Sequence, residues 1–299
     1  MLIGTLEQSF IFAIMVLGVY ISFKVLDFPD MTVDGSFPMG GAISASLLVH
    51  GVNPILALLV AMIGGSIAGF ITGIIHVKLK ITNLLAGIIV MTGLYSINLR
   101  IMGKSNIPLF GVKYLFNIEK FSNYKYSTIF IIIVILLIVK FLMDFLLKTK
   151  FGFALKALGD NESLIVGLGL NEKRLKVIGL MLANSLVALS GGVLAQYQGF
   201  ADVGMGTGTI VIGLASIIIG DALFSGKNKK YIKVTTIVII GTVIYRAIIA
   251  LALKLGMNPS DLKLVTSVLV IIIIFMKEVK DKITFFKKDD KSTRGPKKC

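Results

Sequence analysis

The sequence has no tryptophan, a single cysteine and few charged residues. The cysteine is Cys299, the last residue, so the chain cannot form an intramolecular disulfide. Charged residues make up 16% of the chain, whereas a soluble domain carries about 25%. Acidic residues are the scarcer of the two charged classes, with 16 Asp and Glu against 31 Lys and Arg. This composition argues against a soluble globular domain, and without Trp any aromatic belt must consist of Tyr and Phe.

Apolar residues are abundant, at 56% of the chain, and they occur in runs of roughly 20, which is the length that crosses a bilayer core. Spans are predicted at 5–25, 39–50, 54–77, 81–101, 127–147, 177–197, 207–223, 231–253 and 262–277. We therefore predict an all-α membrane protein, a polytopic bundle of about 8–10 transmembrane helices with a cytoplasmic coupling helix. The stretch 39–50 is short, and together with Phe28–Gly41 it predicts a broken or re-entrant helix.

Lys and Arg are concentrated in three polar segments, namely 148–176, 224–233 and the region after Lys277. No odd number of predicted spans separates these segments, so all three are predicted on the cytoplasmic face. We accordingly divide the chain into a transmembrane domain, 1–276, and a basic cytoplasmic tail, 277–299, which can contact membrane lipid. The predicted location is the inner (cytoplasmic) cell membrane. Nine spans place the N-terminus outside, whereas an even number places it inside.

The first of these segments is the longest cytoplasmic connection, and it mixes charged residues with regularly spaced apolar ones. This pattern is typical of short amphipathic helices. Asp160 or Asn161 is a suitable N-cap for a helix that starts near Glu162, and Gly167 or Gly169 is suited to end it. Such a helix either docks a partner or packs only on its own bundle. Spacing alone leaves both interpretations open.

Six residues of this segment fit the pattern Gly-x-x-x-(Arg/Lys)-Ala-x-Gly-Asp-Asn, namely Gly152, Lys156, Ala157, Gly159, Asp160 and Asn161. A span with the small-residue stretch Ala183–Gly192 follows, and Asp30–Gly41 lies between the first two spans. As a set, these features resemble the ABC transporter permeases of the branched-chain amino-acid and ribose type, over about residues 5–275. The similarity is greatest to a subgroup that is paired with binding proteins proposed to take aromatic amino acids.

The resemblance implies that this chain is the permease subunit of an ATP-binding cassette importer. It would move a small solute, such as an amino acid, by alternating access that a separate ATPase subunit powers. The residues implied to couple to that ATPase are Gly152, Lys156, Ala157, Gly159, Asp160, Asn161, Glu162, Gly167 and Gly169. The implied partners are the ATPase, a second permease copy and an extracytoplasmic solute-binding protein. The family often has Arg where this chain has Lys156, which changes hydrogen-bond geometry though not charge.

Nothing in the sequence predicts that the chain itself is an enzyme. The nearest approach to a P-loop, Gly220–Asn228, has one residue too many between its glycines and Asn where a hydroxyl is needed. ATP and magnesium are therefore expected on the partner ATPase, and no cofactor on this chain. His50 and His76 lack Cys or carboxylate neighbours at metal-ligand spacing, so no metal site is predicted. The basic residues encode membrane orientation, so no nucleic-acid partner is expected.

Several residues inside the spans have a predicted structural role. Gly65, Gly69 and Gly73 repeat at every fourth position and predict close helix packing. Lys140 and Asp144 are one helical turn apart and are predicted to pair.

Arg246 lies deep in its span and needs a partner, for which Glu7 is one candidate. The residues named as candidates to line the translocation path are Asn98, Asn184, Ser185 and Arg246. For the three uncharged ones, hydrogen bonding between helices is the more common role. For Arg246, a structural ion pair or snorkelling is the competing interpretation.

The alternative function is an ion-coupled secondary transporter. Such a protein needs a coupling-ion site, typically an acid in the middle of the membrane. On the sequence alone, all 16 acids are expected near span ends or in loops. This expectation argues against the alternative.

Overall fold

The computed structural model describes residues 2–117, 127–224, 233–258, 261, 264–268, 270–272 and 275. Its helices are α1 Leu2–Tyr20, α2 Val33–Val49, α3 Pro54–Leu79, α4 Asn83–Met102, α5 Ser127–Leu146, α6 Lys150–Asp160, α7 Glu162–Gly167, α8 Glu172–Gln198, α9 Thr209–Leu223 and α10 Val234–Lys254. A π-helical turn, Ile21–Val25, continues α1, and a 3₁₀ turn, Val203–Gly206, precedes α9. Residues 264–268 and 270–272 are also helical. The predicted tail 277–299 lies outside the described residues.

The predicted fold class is confirmed. In the described part of the chain, seven helical segments are long and apolar enough to cross a membrane. α2 is shorter, at 17 residues, which corresponds to about 26 Å of helix. The bundle is therefore an all-α membrane protein built from long apolar helices, with α6 and α7 as short additions between α5 and α8.

Three helices, α1, α2 and α8, form the centre of the bundle. From Ile11 to Leu17, α1 is buried on every side, because apolar residues occupy all faces of this part of the helix. Ser190 on α8 donates a 2.7 Å hydrogen bond to the carbonyl of Ile11, which ties α8 to α1. α3, α4, α5 and α10 lie farther out and are exposed on one face.

The predicted glycine packing is confirmed. The face of α3 that carries Gly65, Gly69 and Gly73 lies directly against α8. A β-carbon on Gly65 or Gly69 would overlap the backbone of Asn184 or Leu180, so only glycine lets the two helices approach this closely.

The region predicted as a broken helix has its interruption earlier than expected. α2 runs without a break from Val33 to Val49, although Pro38 lies inside it. The interruption is the connection 26–32 between α1 and α2, where Phe28 and Asp30 are buried. Irregular backbone inside a membrane protein is tolerated when other protein groups surround it, and that is the case here.

The helix ends form two distinct ends of the bundle. Lys24–Asp221 and Lys233–Asp144 ion pairs and the helices α6 and α7 lie at one end, which we call the basic end. At the opposite end, strand β1 (Asn106–Pro108) pairs antiparallel with strand β2 (Phe200–Asp202). The first turns of α1 also lie at this opposite end, where Glu7 contacts Tyr197.

Candidate functional site

The segment predicted to couple to an ATPase forms two short helices at the basic end. The first, α6, begins after Thr149, whose hydroxyl accepts a 3.2 Å hydrogen bond from the Gly152 amide and so caps the helix. Leu155 and Leu158 are buried on its inner face. A side chain at Gly152 would overlap the backbone of α5 at Leu146, so the glycine permits the tight turn between the two helices.

Gly159 is in close contact with the centre of the bundle. A β-carbon there would overlap the carbonyl oxygen of Val25 and approach Leu26. These two residues end the π-helical turn of α1 and begin the connection 26–32. The coupling segment therefore rests directly on the backbone of that connection.

The predicted cap of the second helix is confirmed in Asn161. Its Oδ1 accepts a 3.3 Å hydrogen bond from the Leu164 amide, whereas Asp160 is the last residue of α6. α7 ends at Gly167, and Gly169 follows with a φ of +73°, a backbone conformation that favours glycine. Both glycines thus lie where the sequence predicted the helix to end.

The predicted coupling residues lie in and beside α6 and α7 at the basic end, and five of the nine are exposed. Lys176 Nζ donates to both carboxylate oxygens of Glu162 at 2.9 Å, and Lys156 lies 5.7 Å from the centre of the Phe153 ring. Ala157 packs against the main hydrophobic core. Asp160, Asn161, Glu162, Gly167 and Gly169 are all exposed.

Large apolar side chains on the same surface are exposed. Their exposed fractions are 61% for Phe153, 52% for Leu164, 55% for Val166, 65% for Leu168 and 46% for Leu170. Ile165, by contrast, is 1% exposed and anchors α7 to the bundle. Because one side is packed and the other presents apolar groups, the segment has the form of a docking element. We call these five exposed residues the docking surface.

A buried polar network that the sequence did not predict surrounds the connection 26–32. Asn184 Nδ2 donates to Asp30 Oδ2 at 2.7 Å, and Ser36 Oγ donates to Asn184 Oδ1 at 2.7 Å. The hydroxyls of Thr32 and Thr72 are 2.7 Å apart. The network links the connection to α2, α3 and α8. Asn184, named as a path candidate, is therefore a fully buried interhelical link.

Asp34 makes a second unpredicted contact, with the N-terminus of α9. Its carboxylate accepts hydrogen bonds from the amides of Gly208 and Ile210, at 2.9 and 2.8 Å, and from the Thr209 hydroxyl at 2.9 Å. A carboxylate at a helix N-terminus satisfies free amides and favours the helix dipole. Asp34 therefore fixes α9 to α2.

The expectation that every acid lies near a span end or in a loop does not describe where Asp30 lies in the folded structure. This residue is in a connection, but the connection itself lies inside the bundle, and Asp30 is 1% exposed. The sequence could not show this, because its partner Asn184 is 154 residues away. The argument against ion coupling that rested on the placement of acids therefore fails.

Asn98 lines a cavity of about 240 Å³ between α2, α4 and the turn before α9. Its Nδ2 donates to the Gly35 carbonyl at 3.2 Å, and the side chain is fully buried. Its Oδ1 has no hydrogen-bond partner within the described part of the chain. Ser185, in contrast, donates to Leu182 of its own helix at 2.8 Å and is nearly buried.

Arg246 faces the bundle, but the prediction that Glu7 is its partner is wrong. The guanidinium donates to Gln8 Oε1 and lies 4.4 Å from the centre of the Phe12 ring. Glu7 instead accepts a 2.9 Å hydrogen bond from the Tyr197 hydroxyl. Arg246 also lines a cavity of about 350 Å³ between α9, α10 and residues 266–267.

The remaining predicted pair is confirmed, since Lys140 Nζ lies 3.2 Å from Asp144 Oδ2. Asp144 also binds Lys233 and Thr235, which joins α5 to the start of α10. Across the described residues, no group of three or more His, Cys, Asp or Glu is arranged to hold a metal ion.

The family described as "Branched-chain amino acid transport system / permease component" matches residues 1–276 of this chain. The chain belongs to this permease family. It is the permease component of an ATP-binding cassette importer, as the resemblance implied. This membership, and not the placement of acids, is what separates the permease from an ion-coupled transporter.

Three named relatives align with most of the length of this chain. A tyrosine transport system permease protein of Clostridioides difficile (strain R20291) is 52% identical over 270 residues, which are 90% of this chain and 89% of the relative. A probable branched-chain amino acid transport permease, LivH, of Methanocaldococcus jannaschii is 26% identical over 226 residues, 70% of this chain and 69% of the relative. The ribose import permease RbsC of Bacillus subtilis (strain 168) is 28% identical over 214 residues, 71% of this chain and 66% of the relative. No solved structure matches significantly.

Proposed function

We propose that this permease moves an amino acid through the membrane by alternating access, and that a separate ATPase subunit drives the movement by binding α6 and α7. The observation that carries the proposal is the docking surface. Five exposed apolar side chains at the basic end need a partner that removes them from water. The basic residues around them support a cytoplasmic position for this end, where an ATPase has access to ATP.

Movement of the docked ATPase reaches the bundle through Gly159. Because this residue leaves no space between α6 and the Val25 carbonyl, a displacement of α6 displaces the connection 26–32. Asp30 and Thr32 in that connection bond to α8 and α3. Asp34, at the start of α2, then holds α9. Force on the coupling segment thus has a continuous route of direct contacts to four long helices.

The proposed partners follow from the same arrangement. A second copy of the permease completes a central path, and an extracytoplasmic binding protein delivers solute at the end that carries β1 and β2. ATP and magnesium bind the ATPase subunit and not the permease. The name of the 52% identical relative supports tyrosine as the first solute to test, and the ribose permease among the relatives makes ribose the comparison.

The test is reconstitution of the permease with its ATPase and binding protein in proteoliposomes. We expect ATP-dependent uptake of radiolabelled L-tyrosine, no uptake when an ion gradient replaces ATP, and no ATP hydrolysis by the permease alone. The variant Leu168→Asp puts a charge on the docking surface and is expected to abolish ATPase binding. Uptake driven by a sodium or proton gradient without ATP would overturn the proposal.

A further inference from the structure

The exposed face of α4 contains polar side chains at mid-helix, between the exposed residues Ile89 and Ile97, and polar side chains at this depth are unusual for a helix in contact with lipid. Thr92, Gly93, Tyr95 and Ser96 are all exposed, and they lie at and just beyond the centre of Asn83–Met102. Tyr95 is 55% exposed. Hydrocarbon offers no hydrogen-bond partner to a tyrosine hydroxyl, and tyrosines that face lipid are enriched at the membrane–water interfaces.

α5 provides an internal comparison at the same depth. Its exposed central residues are Val134, Leu137 and Ile138, and its other large exposed residues are Phe130, Phe141, Leu142 and Phe145. The exposed face of α3 is apolar in the same way, for example at Leu59, Ile63 and Ile67. The exposed face of α4 differs from these two in the polar side chains near its centre, which lie between the exposed apolar residues Ile89 and Ile97.

The 240 Å³ cavity lies directly behind this face, and Thr92 and Tyr95 are part of its wall. Asn98, which is 0% exposed, contributes the amide oxygen that lacks a partner in the described residues. A buried acceptor without a partner is unfavourable, so a hydrogen-bond donor that enters the cavity would be stabilised there.

The polar groups around the cavity favour a donor with positive charge. Asp34 supplies a carboxylate and Asn98 an amide oxygen, and the cavity wall contains no Lys or Arg among the described residues. Pro38, Met91 and Val203 make the rest of the wall largely apolar. The oxygens of Asp34 already accept hydrogen bonds from the start of α9, so Asp34 contributes negative charge and Asn98 contributes the acceptor that lacks a partner in the described residues. An ammonium group would donate to Asn98 and offset the charge of Asp34, whereas a sugar hydroxyl would supply no counter-charge.

We propose that the exposed face of α4 lines the aqueous translocation path, and that the cavity behind it binds the ammonium group of an amino acid in transit. This inference rests on the proposed function and deepens it, because it names the group of the amino acid that the permease contacts. It assigns Asn98 and Asp34 to solute contact, and Thr92, Tyr95 and Ser96 to the wall of the path.

The test uses thiol labelling of the assembled transporter in proteoliposomes. Cys299→Ser removes the native thiol, and single cysteines are then introduced on α4 (Thr92→Cys, Ser96→Cys) or at matched depth on α5 (Val134→Cys, Ile138→Cys). A charged, membrane-impermeant methanethiosulfonate is expected to modify the α4 positions at least about tenfold faster, because a thiol surrounded by lipid stays protonated and unreactive. If α4 is instead buried between two copies, its thiols will be as unreactive as those of α5 and will cross-link the copies, which overturns the proposal.

Protection of the Ser96→Cys thiol tests ammonium recognition without relying on the binding protein. L-tyrosine and tyramine, which both carry an ammonium group, should slow the labelling, whereas 3-(4-hydroxyphenyl)propanoate, which lacks one, should not. Adding Asn98→Leu should leave the thiol reactive but abolish the protection. Equal protection by the deaminated acid, or protection that survives Asn98→Leu, would contradict the proposed ammonium subsite. Failure of ATP-driven uptake in the unmodified transporter would instead refute the proposed function, so the two outcomes are distinguishable.

Discussion

At the scale of single residues, Gly159 is a position in the coupling segment where the packing requires glycine. Its hydrogen atom faces the Val25 carbonyl, and the first carbon of any side chain would overlap that oxygen. We expect Gly159→Ala to displace α6 from the connection 26–32 and to lower ATP-driven uptake at least about fivefold, because packed interiors do not absorb an extra methyl without shifting. Uptake per ATP hydrolysed, measured in proteoliposomes, should fall even where the ATPase still binds.

Gly167→Ala is the matched control for this substitution. Gly167 is also helical and belongs to the same segment, but a β-carbon there meets no atom within 4 Å. The control is expected to retain normal uptake and coupling. If both variants behave alike, the contact between Gly159 and Val25 has no part in coupling.

Asp34 provides a second prediction at this scale. Its carboxylate accepts three hydrogen bonds at the start of α9, and an amide can accept with only one of its two polar atoms. Asp34→Asn should therefore destabilise the permease by about 1–3 kcal/mol. Asp27→Asn is the control, since Asp27 is exposed and lies at φ +50°, a conformation that Asn tolerates. The chain has no tryptophan, so the midpoint of heat-induced aggregation, followed by size-exclusion chromatography of a fluorescent fusion, is the suitable measurement.

At the scale of elements, α7 depends on its cap more than the long helices do. It has six residues, too few for a helix that is stable alone, and Asn161 caps it. Asn161→Ala should cost about 1 kcal/mol locally and weaken ATPase binding, because three of the five docking-surface residues follow within two turns. The affinity of the ATPase for the permease in nanodiscs measures the effect.

Asn171→Ala removes an equivalent cap from a very different helix. Asn171 Oδ1 accepts a 3.0 Å hydrogen bond from the Arg174 amide at the start of α8, which has 27 residues and is packed through its length. Because packing and not the cap holds α8, this control should leave ATPase affinity nearly unchanged. A larger loss with Asn171→Ala than with Asn161→Ala would contradict the assigned role of α7.

The elements that sequence reasoning located well are those whose signal is local. Apolar runs define spans by their length alone, and Asn161 and Gly169 mark a cap and a helix end through their own backbone preferences. α2 was located less well. Its first residues, Val33–Pro38, contain small and polar residues that a hydropathy scan excludes, yet they are helical because α4, α8 and α9 surround them.

The same distinction between local and distant signals applies to the candidate site. The cap and the end of α7 in the proposed coupling segment could be predicted because the pattern lies within 18 consecutive residues, Gly152–Gly169. The hydrogen bonds between Asp30 and Asn184 and between Asp34 and Ile210 join residues 154 and 176 positions apart, and no local sequence pattern indicates them. The same limit explains why Glu7 was chosen for Arg246 when the neighbouring Gln8 is the partner.

At the scale of the whole molecule, the arrangement predicts which side of the membrane each end of the bundle faces. The docking surface lies at the basic end, and β1 and β2 lie at the other, next to Phe110, which is 89% exposed. The excess of Lys and Arg predicts that the basic end, together with the tail that ends in Cys299, faces the cytoplasm. In spheroplasts, a membrane-impermeant maleimide should label Cys299 only after permeabilisation. In the variant that combines Cys299→Ser with Phe110→Cys, labelling should occur without permeabilisation. The reverse pattern would place the docking surface outside the cell, beyond reach of ATP, and would remove the basis for ATPase coupling at α6 and α7.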